Sequence, residues 1–112
     1  MFQTITNVAD IAQAELGFRG VTMKMLGGDG PAGGMYIQTT MMPGAVIPAH
    51  SHAVANEFVY VVLGDFIEAG KSYGAGTVFF GMAGTAHGPH TTANGCIVVT
   101  HFSAPLDFNP AT

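Results

Sequence analysis

Residues 57–63 alternate between two apolar sets. Phe58, Tyr60 and Val62 hold one parity; Val59, Val61 and Leu63 hold the other. Successive side chains of a β-strand point to opposite faces, so both faces of this predicted strand are apolar. Similar short runs, bounded by Gly and Pro, predict strands over residues 21–26, 35–42, 46–50, 65–68, 77–80 and 96–102. Residues 27–34 hold five glycines and Pro31 and read as a loop. Ala69-Gly70 between Glu68 and Lys71 predicts a tight hairpin. Residues 7–16 are the one helix candidate, with Asn7 as cap and Gly17 as stop, or else a turn or arm. The tail, residues 105–112, carries two prolines and is expected on the surface. Short strands at regular spacing argue for an all-β sandwich or barrel.

Composition narrows this further. The chain has 112 residues, room for one domain, taken as 1–112. Hydrophobic residues make up 48% and charged residues 9%, which excludes a disordered chain and favours a sheet covered on both faces. A strand with two apolar faces needs a second cover beyond its own barrel, so a homodimer is expected. Arg19, Lys24 and Lys71 are the only cations, against seven acidic residues. Three scattered cations cannot neutralise a run of phosphates or hold an anionic bilayer, so neither nucleic acid nor membrane is an expected partner. Cys96 is the single cysteine, which favours a reducing compartment, and no leader is recognised, so the expectation is cytoplasmic.

Candidate chemistry gathers around three histidines and a glutamate. His50 and His52 stand two apart, a spacing that places both side chains on one face of a strand. Glu57 opens the next strand, and His87 follows the glycine-rich turn at residues 81–84. Imidazole and carboxylate suit iron(II), manganese, zinc, nickel and copper, and four protein ligands on an octahedral metal leave positions open.

Residues 44–64 resemble the first cupin motif, G(X)5HXH(X)3–4E(X)6G, at every defined position: Gly44, His50, His52, Glu57 and Gly64. Gly76, Gly84 and His87 resemble the second motif, G(X)5PXG(X)2H(X)3N, which here has Met82 for the proline and Thr91 for the asparagine. The resemblance implies the RmlC-like cupin superfamily and a small double-stranded β-helix, or jelly-roll, barrel. It also implies one divalent transition metal held by His50, His52, His87 and Glu57, with iron(II) foremost and Zn, Mn, Ni or Cu as alternatives. Glu57 either binds the metal or hydrogen-bonds one of its histidines, and it is the candidate catalytic base. A narrower resemblance, through residues 20–26, Tyr73, and His87-Gly88-Pro89 leading into Gly95-Cys96, is to ChrR-type cupins and acetylacetone-cleaving dioxygenases.

His90 reads as a solvent-facing loop histidine, the alternative being a pocket residue that donates to a substrate oxygen. His101 ends the last strand and suggests a structural or dimer contact, and Cys96 a buried inert thiol. Met35, Met41, Met42 and Met82, with Phe79, Phe80 and Tyr60, are candidates for an apolar cavity wall. No Arg or Lys lies near the first motif, so the expected substrate is small and uncharged, such as an enolisable ketone. The expected function is a metal-dependent oxygenase. A zinc-binding sensor or binding module and a metal-dependent lyase or isomerase are the alternatives.

Overall fold

The computed structural model describes residues 1–30 and 32–111. Among the described residues twelve strands form: β1 (Ala14–Glu15), β2 (Val21–Gly28), β3 (Met35–Met41), β4 (Val46–Ile47), β5 (His50–Ser51), β6 (Glu57–Gly64), β7 (Phe66–Glu68), β8 (Lys71–Tyr73), β9 (Val78–Gly81), β10 (His90–Thr91), β11 (Cys96–Phe102) and β12 (Asn109–Pro110). They build a six-stranded sheet, β1-β2-β3-β11-β6-β9, facing a four-stranded sheet, β4-β10-β7-β8, with β12-β5 closing one end. Every pairing is antiparallel. This is the cupin jelly roll expected from the motifs.

Period-two alternation decides which face is core. Along β6, Glu57, Val59 and Val61 are buried while Phe58, Tyr60 and Val62 face outward. β11 alternates in the same way, burying Cys96, Val98, Thr100 and Phe102. Val21, Met41, Phe66 and Ala45 complete the main core around Val59, Val61 and Val98. The outward set remains apolar and exposed, and Val78 and Phe80 of the neighbouring β9 extend it. Gly64 ends β6 at φ +85, where an added Cβ would come within 2.1 Å of the Gly95 carbonyl oxygen. The motif glycine therefore lets β6 and β11 close together.

The hairpin appears as predicted. Glu68 pairs with Lys71, and Ala69 (φ 48) and Gly70 (φ 89) both take positive φ, the mark of a type I′ turn.

Two readings change. Residues 7–16 do not form an α-helix: a 3-10 turn, Val8–Asp10, is capped by Asn7, and Ala14–Glu15 pairs with Thr22 and Met23 of β2. No residue of that turn is buried, and a helix this short is marginal without a face to pack. The strand expected over residues 46–50 breaks into β4 and β5, which pair in different sheets. Pro48 lies between them and has no N–H to continue a ladder. The tail lies on the surface as expected and is also held there: Asn109 and Pro110 pair with Ser51 and His50. The glycine-rich loop runs from Asp29 to Gly34, closed by an Asp29 N–H to Gly34 carbonyl bond, and Pro31 lies outside the described residues.

Candidate metal centre

The backbone brings the two motifs together. His50 and His87 exchange N–H···O=C bonds of 2.9 and 2.8 Å, and the Gly84 N–H donates to the His52 carbonyl. Glu57, the first residue of β6, pairs with Gly81 at the end of β9, just before that loop. His50, His52, Glu57 and His87 therefore each offer one ligand atom, all within 4.8 Å of one another. His50 and His52 are each 4% exposed and Glu57 9%, so three of the four donors are withdrawn from solvent.

Two backbone carbonyls orient the imidazoles. His50 Nδ1 lies 2.7 Å from the Pro48 carbonyl oxygen and His52 Nδ1 2.5 Å from that of Asp107. A carbonyl only accepts, so each Nδ1 carries a proton and each ring turns its Nε2 inward, where it can bind a cation when bare or donate when protonated. His52 Nε2 and His87 Nε2 then lie 3.1 and 2.9 Å from Glu57 Oε1, and His50 Nε2 lies 3.1 Å from His87 Nε2. Converging lone pairs beside a carboxylate oxygen repel unless a proton or cation sits among them. Ligand atoms 2.0–2.1 Å from one ion at right angles would stand about 3 Å apart, so the donor set fits a divalent transition metal.

The ionisation of the cluster has the same cause. Burial lowers the His50 pKa to about 4, the neighbouring imidazoles add to this, and the bond to Pro48 only partly opposes it. Burial by itself would raise Glu57, but the hydrogen bonds from His52 and His87 outweigh it and hold the carboxyl at about 2. For His52, burial is likewise overcome, here by Glu57 and the Asp107 carbonyl, and its pKa is raised. The site is built to keep one carboxylate charged and to receive positive charge beside it.

A cavity of about 300 Å³ opens beside the cluster. Phe18, Met23, Ile37, Met41, Phe66 and Phe102 supply much of its wall, and no Lys or Arg lines it among the described residues. The tail covers one side: Leu106 and Phe108 reach the cavity, and the Phe108 ring stacks on His50 at 4.4 Å. A smaller cavity of about 130 Å³ lies on the other side, lined by Glu57, Glu68, Phe79, Phe80, His87 and His90.

Of the methionines proposed for the wall, Met41 lines the larger cavity while Met42 and Met82 are exposed; Met23 was not anticipated. Tyr60 faces outward. His90 is not a solvent-facing loop residue: it stands on β10 at 8% exposure and lines both cavities. β10 has two residues, too few to display a period, so sequence reasoning had no pattern to place His90 inside. His101 packs against Tyr36, away from the cluster, and Cys96 is buried, with burial raising its thiol pKa.

The family profile of the ChrR cupin-like domain matches residues 3–105, and the chain belongs to that family. No protein of curated function matches it in sequence. Among solved structures it is similar to the polyketide cyclase RemF of Streptomyces resistomycificus, at 18% identity over 99% of this chain and 87% of that one, with a TM-score of 0.84. It is also similar to a candidate acetylacetone dioxygenase of Methylibium petroleiphilum PM1, at 15% identity over 100% and 88% of the two chains, TM-score 0.80. A third likeness is to the Rhodobacter sphaeroides complex of SigE with the anti-sigma ChrR, at 22% identity over 85% of this chain and 50% of that one, TM-score 0.68. At these identities the likeness is one of fold. No helix among the described residues is long and apolar enough to cross a membrane.

Proposed function

We propose that this chain is a single-domain, metal-dependent cupin enzyme, an oxygenase of the iron(II) type acting on a small uncharged or enolisable ketone. The observation that carries the reading is the opening of the four-donor cluster onto an apolar cavity. A structural metal is expected in a closed shell, commonly with thiolates; here the lone cysteine, Cys96, is not one of the four donors. His50, His52 and His87 hold the metal, and Glu57 holds it or takes a proton from the substrate carbon beside it. Bound there, iron(II) supplies Lewis acidity and one-electron chemistry with dioxygen. The chain's own residues do the rest. Pro48 and Asp107 fix the imidazoles through their carbonyls, the aromatic and aliphatic wall excludes water, and the absence of cations among the described lining residues selects against multiply charged ligands.

The exposed face of Phe58, Tyr60, Val62 and Phe80 supports a homodimer, since that patch is apolar on an otherwise folded barrel. A cytoplasmic location suits the free buried thiol.

Membership in the ChrR cupin-like family favours one second reading, a zinc-binding module that acts through a partner protein. A lyase or isomerase on the same scaffold is a variant of the first. The experiment is metal analysis of protein made without added metal, then oxygen-uptake measurements on iron(II)-loaded protein with β-diketones and aryl ketones. Oxygen consumption above the rate of free iron is the expected result. Tightly held zinc, with no uptake from any ketone after iron replacement, would move the assignment to the binding module.

A further inference from the structure

His90 and Glu68 make a second polar pair beside the metal cluster. The His90 backbone is held on both sides, paired with Ile47 of β4 and Glu68 of β7. Its ring is packed between Phe66, with centroids 5.0 Å apart, and His87, stacked at 5.4 Å and 20°. Glu68 Oε2 lies 2.5 Å from His90 Nδ1. Nδ1 has no accessible surface and no other partner, so this carboxylate contact is what fixes that nitrogen. The other oxygen, Oε1, accepts the Gly88 N–H at 2.7 Å, which anchors the carboxylate to the loop that follows His87. Burial alone would raise the Glu68 pKa, but His90 and the Gly88 N–H outweigh it and keep the carboxylate charged.

The far nitrogen, Nε2, is left over. It has no partner among the described residues and is not among the fully buried orphan atoms, so it keeps accessible surface on a residue that lines both cavities. A polar ring atom on a residue this buried is costly to leave without a partner unless a ligand or water completes it. The pair thus repeats, outside the metal cluster, a recurrent arrangement: a carboxylate fixes one imidazole nitrogen and aims the other.

We propose that His90 Nε2 is the second anchoring point of the cavity, hydrogen-bonding a ligand oxygen other than the one at the metal cluster, with Glu68 as its positioning residue. The proposal rests on the metal-centre reading and deepens it. The pair selects neutral molecules that carry two oxygen functions a few bonds apart over those with one. A single carbonyl compound satisfies only the cluster and leaves Nε2 bare.

The test uses zinc-loaded protein, where no turnover interferes, with acetylacetone as the two-oxygen probe and 2-pentanone as the one-oxygen control, read by calorimetry. In wild type, acetylacetone binds more tightly than 2-pentanone. His90→Phe keeps the ring stack and lowers acetylacetone affinity about fivefold to tenfold, as expected for one hydrogen bond, while 2-pentanone and zinc affinities stay within twofold. His90→Gln, whose amide nitrogen reaches about as far as Nε2, restores most of the loss. His90→Asn, which imitates Nδ1, does not. Glu68→Gln gives an intermediate loss for acetylacetone with zinc affinity unchanged. A purely structural role would lower the melting temperature of all four variants without separating Gln from Asn or one probe from the other.

Zinc-loaded wild type that binds acetylacetone no better than 2-pentanone, or a His90→Phe variant that binds it as wild type does, overturns the proposal. Loss of zinc affinity in His90→Phe overturns it too, by assigning the ring to the metal. A wild-type chain that takes up no zinc, iron or manganese overturns the metal-centre reading instead, and that result is distinct from all of these.

Discussion

Metal should tie together segments that the chain places far apart. His50 opens β5 and His52 follows it, Glu57 opens β6 and His87 precedes β10, so an ion bound by all four spans three stretches of backbone. Without it, the Nε2 lone pairs of His50 and His52 converge on His87 and Glu57 at 3.1 Å with only protons to relieve them. A metal that binds the folded chain alone stabilises it by RT ln(1 + [M]/Kd), about 2.7 kcal/mol at a hundredfold excess over Kd. A domain of 112 residues has an unfolding entropy of about 0.24 kcal/mol/K. The expected rise in melting temperature is therefore about 11 °C.

The perturbation is His87→Ala, which removes one of the four ligands and the shorter of the two imidazole contacts to Glu57, 2.9 Å. If the variant's Kd rises to the metal concentration used, the stabilisation falls to about 0.4 kcal/mol and the shift to about 2 °C. The assay is a thermal melt followed by circular dichroism, on chelator-stripped protein with and without added zinc or iron(II). His101→Ala is the control, because His101 packs on Tyr36 outside the cluster and should keep the full shift. A His87→Ala protein that folds and still gains the wild-type increment would refute the ligand assignment.

Metal affinity should fall with pH in two stages. The raised pKa of His52 means a proton competes there from above 6.5 downward, whereas His50, held to about 4, resists protonation until far lower. Chelator competition between pH 8 and 5 should show affinity weakening as the pH falls; a flat profile down to pH 5 would contradict it. Phe108→Ala should cost about 1–2 kcal/mol in a urea titration, since the ring is 38% exposed yet stacked on His50, and should speed ligand exchange by uncovering the cavity. An unchanged midpoint and exchange rate would remove the tail from the site. The wild-type chain should sediment as a dimer at micromolar concentration, and Phe80→Glu, on the exposed apolar face, should weaken that dimer more than tenfold. A wild-type monomer under those conditions would leave the outer face of β6 to some other cover.

Long alternating strands were legible because a period of two needs several residues to declare itself. β3, β6 and β11, with seven or eight residues each, fell close to the ranges read from the sequence. β10 and β12, with two residues each, carried no such signal. Without them His90 reads as facing solvent, and the pairing that holds the surface tail to β5 is invisible. The four-residue cluster was legible because its spacing matches a known motif, and spacing survives in one dimension. What orients it was not. The groups holding His50 and His52 are the carbonyls of Pro48 and Asp107, and every residue has a carbonyl. Over residues 7–16 the alternative of a turn or arm holds: the capping signal was real, and Asn7 does cap a turn, but no residue of that turn is buried, so a longer helix has no face to pack there.

The charge balance of the cavity constrains the chemistry more tightly than the ligand set does. A divalent ion with one carboxylate leaves one net positive charge facing a wall of Phe, Met, Ile and Val, with neither Lys nor Arg among the described lining residues. In such surroundings a dianion would surrender its hydration for a single counter-charge, and the shortfall is large because charge is expensive in an apolar medium. A neutral ketone enters without that penalty. It reaches balance only if it gives up a proton on arrival, becoming a monoanion that matches the centre. Glu57 is placed to receive that proton only if it stands free of the metal, because a carboxylate that is a ligand has its basicity drawn off. The two roles left open for Glu57 are therefore separable by chemistry. As a ligand, it lowers the net charge and leaves proton removal to another group; as a neighbour, it leaves a more strongly positive three-histidine centre and becomes the base itself.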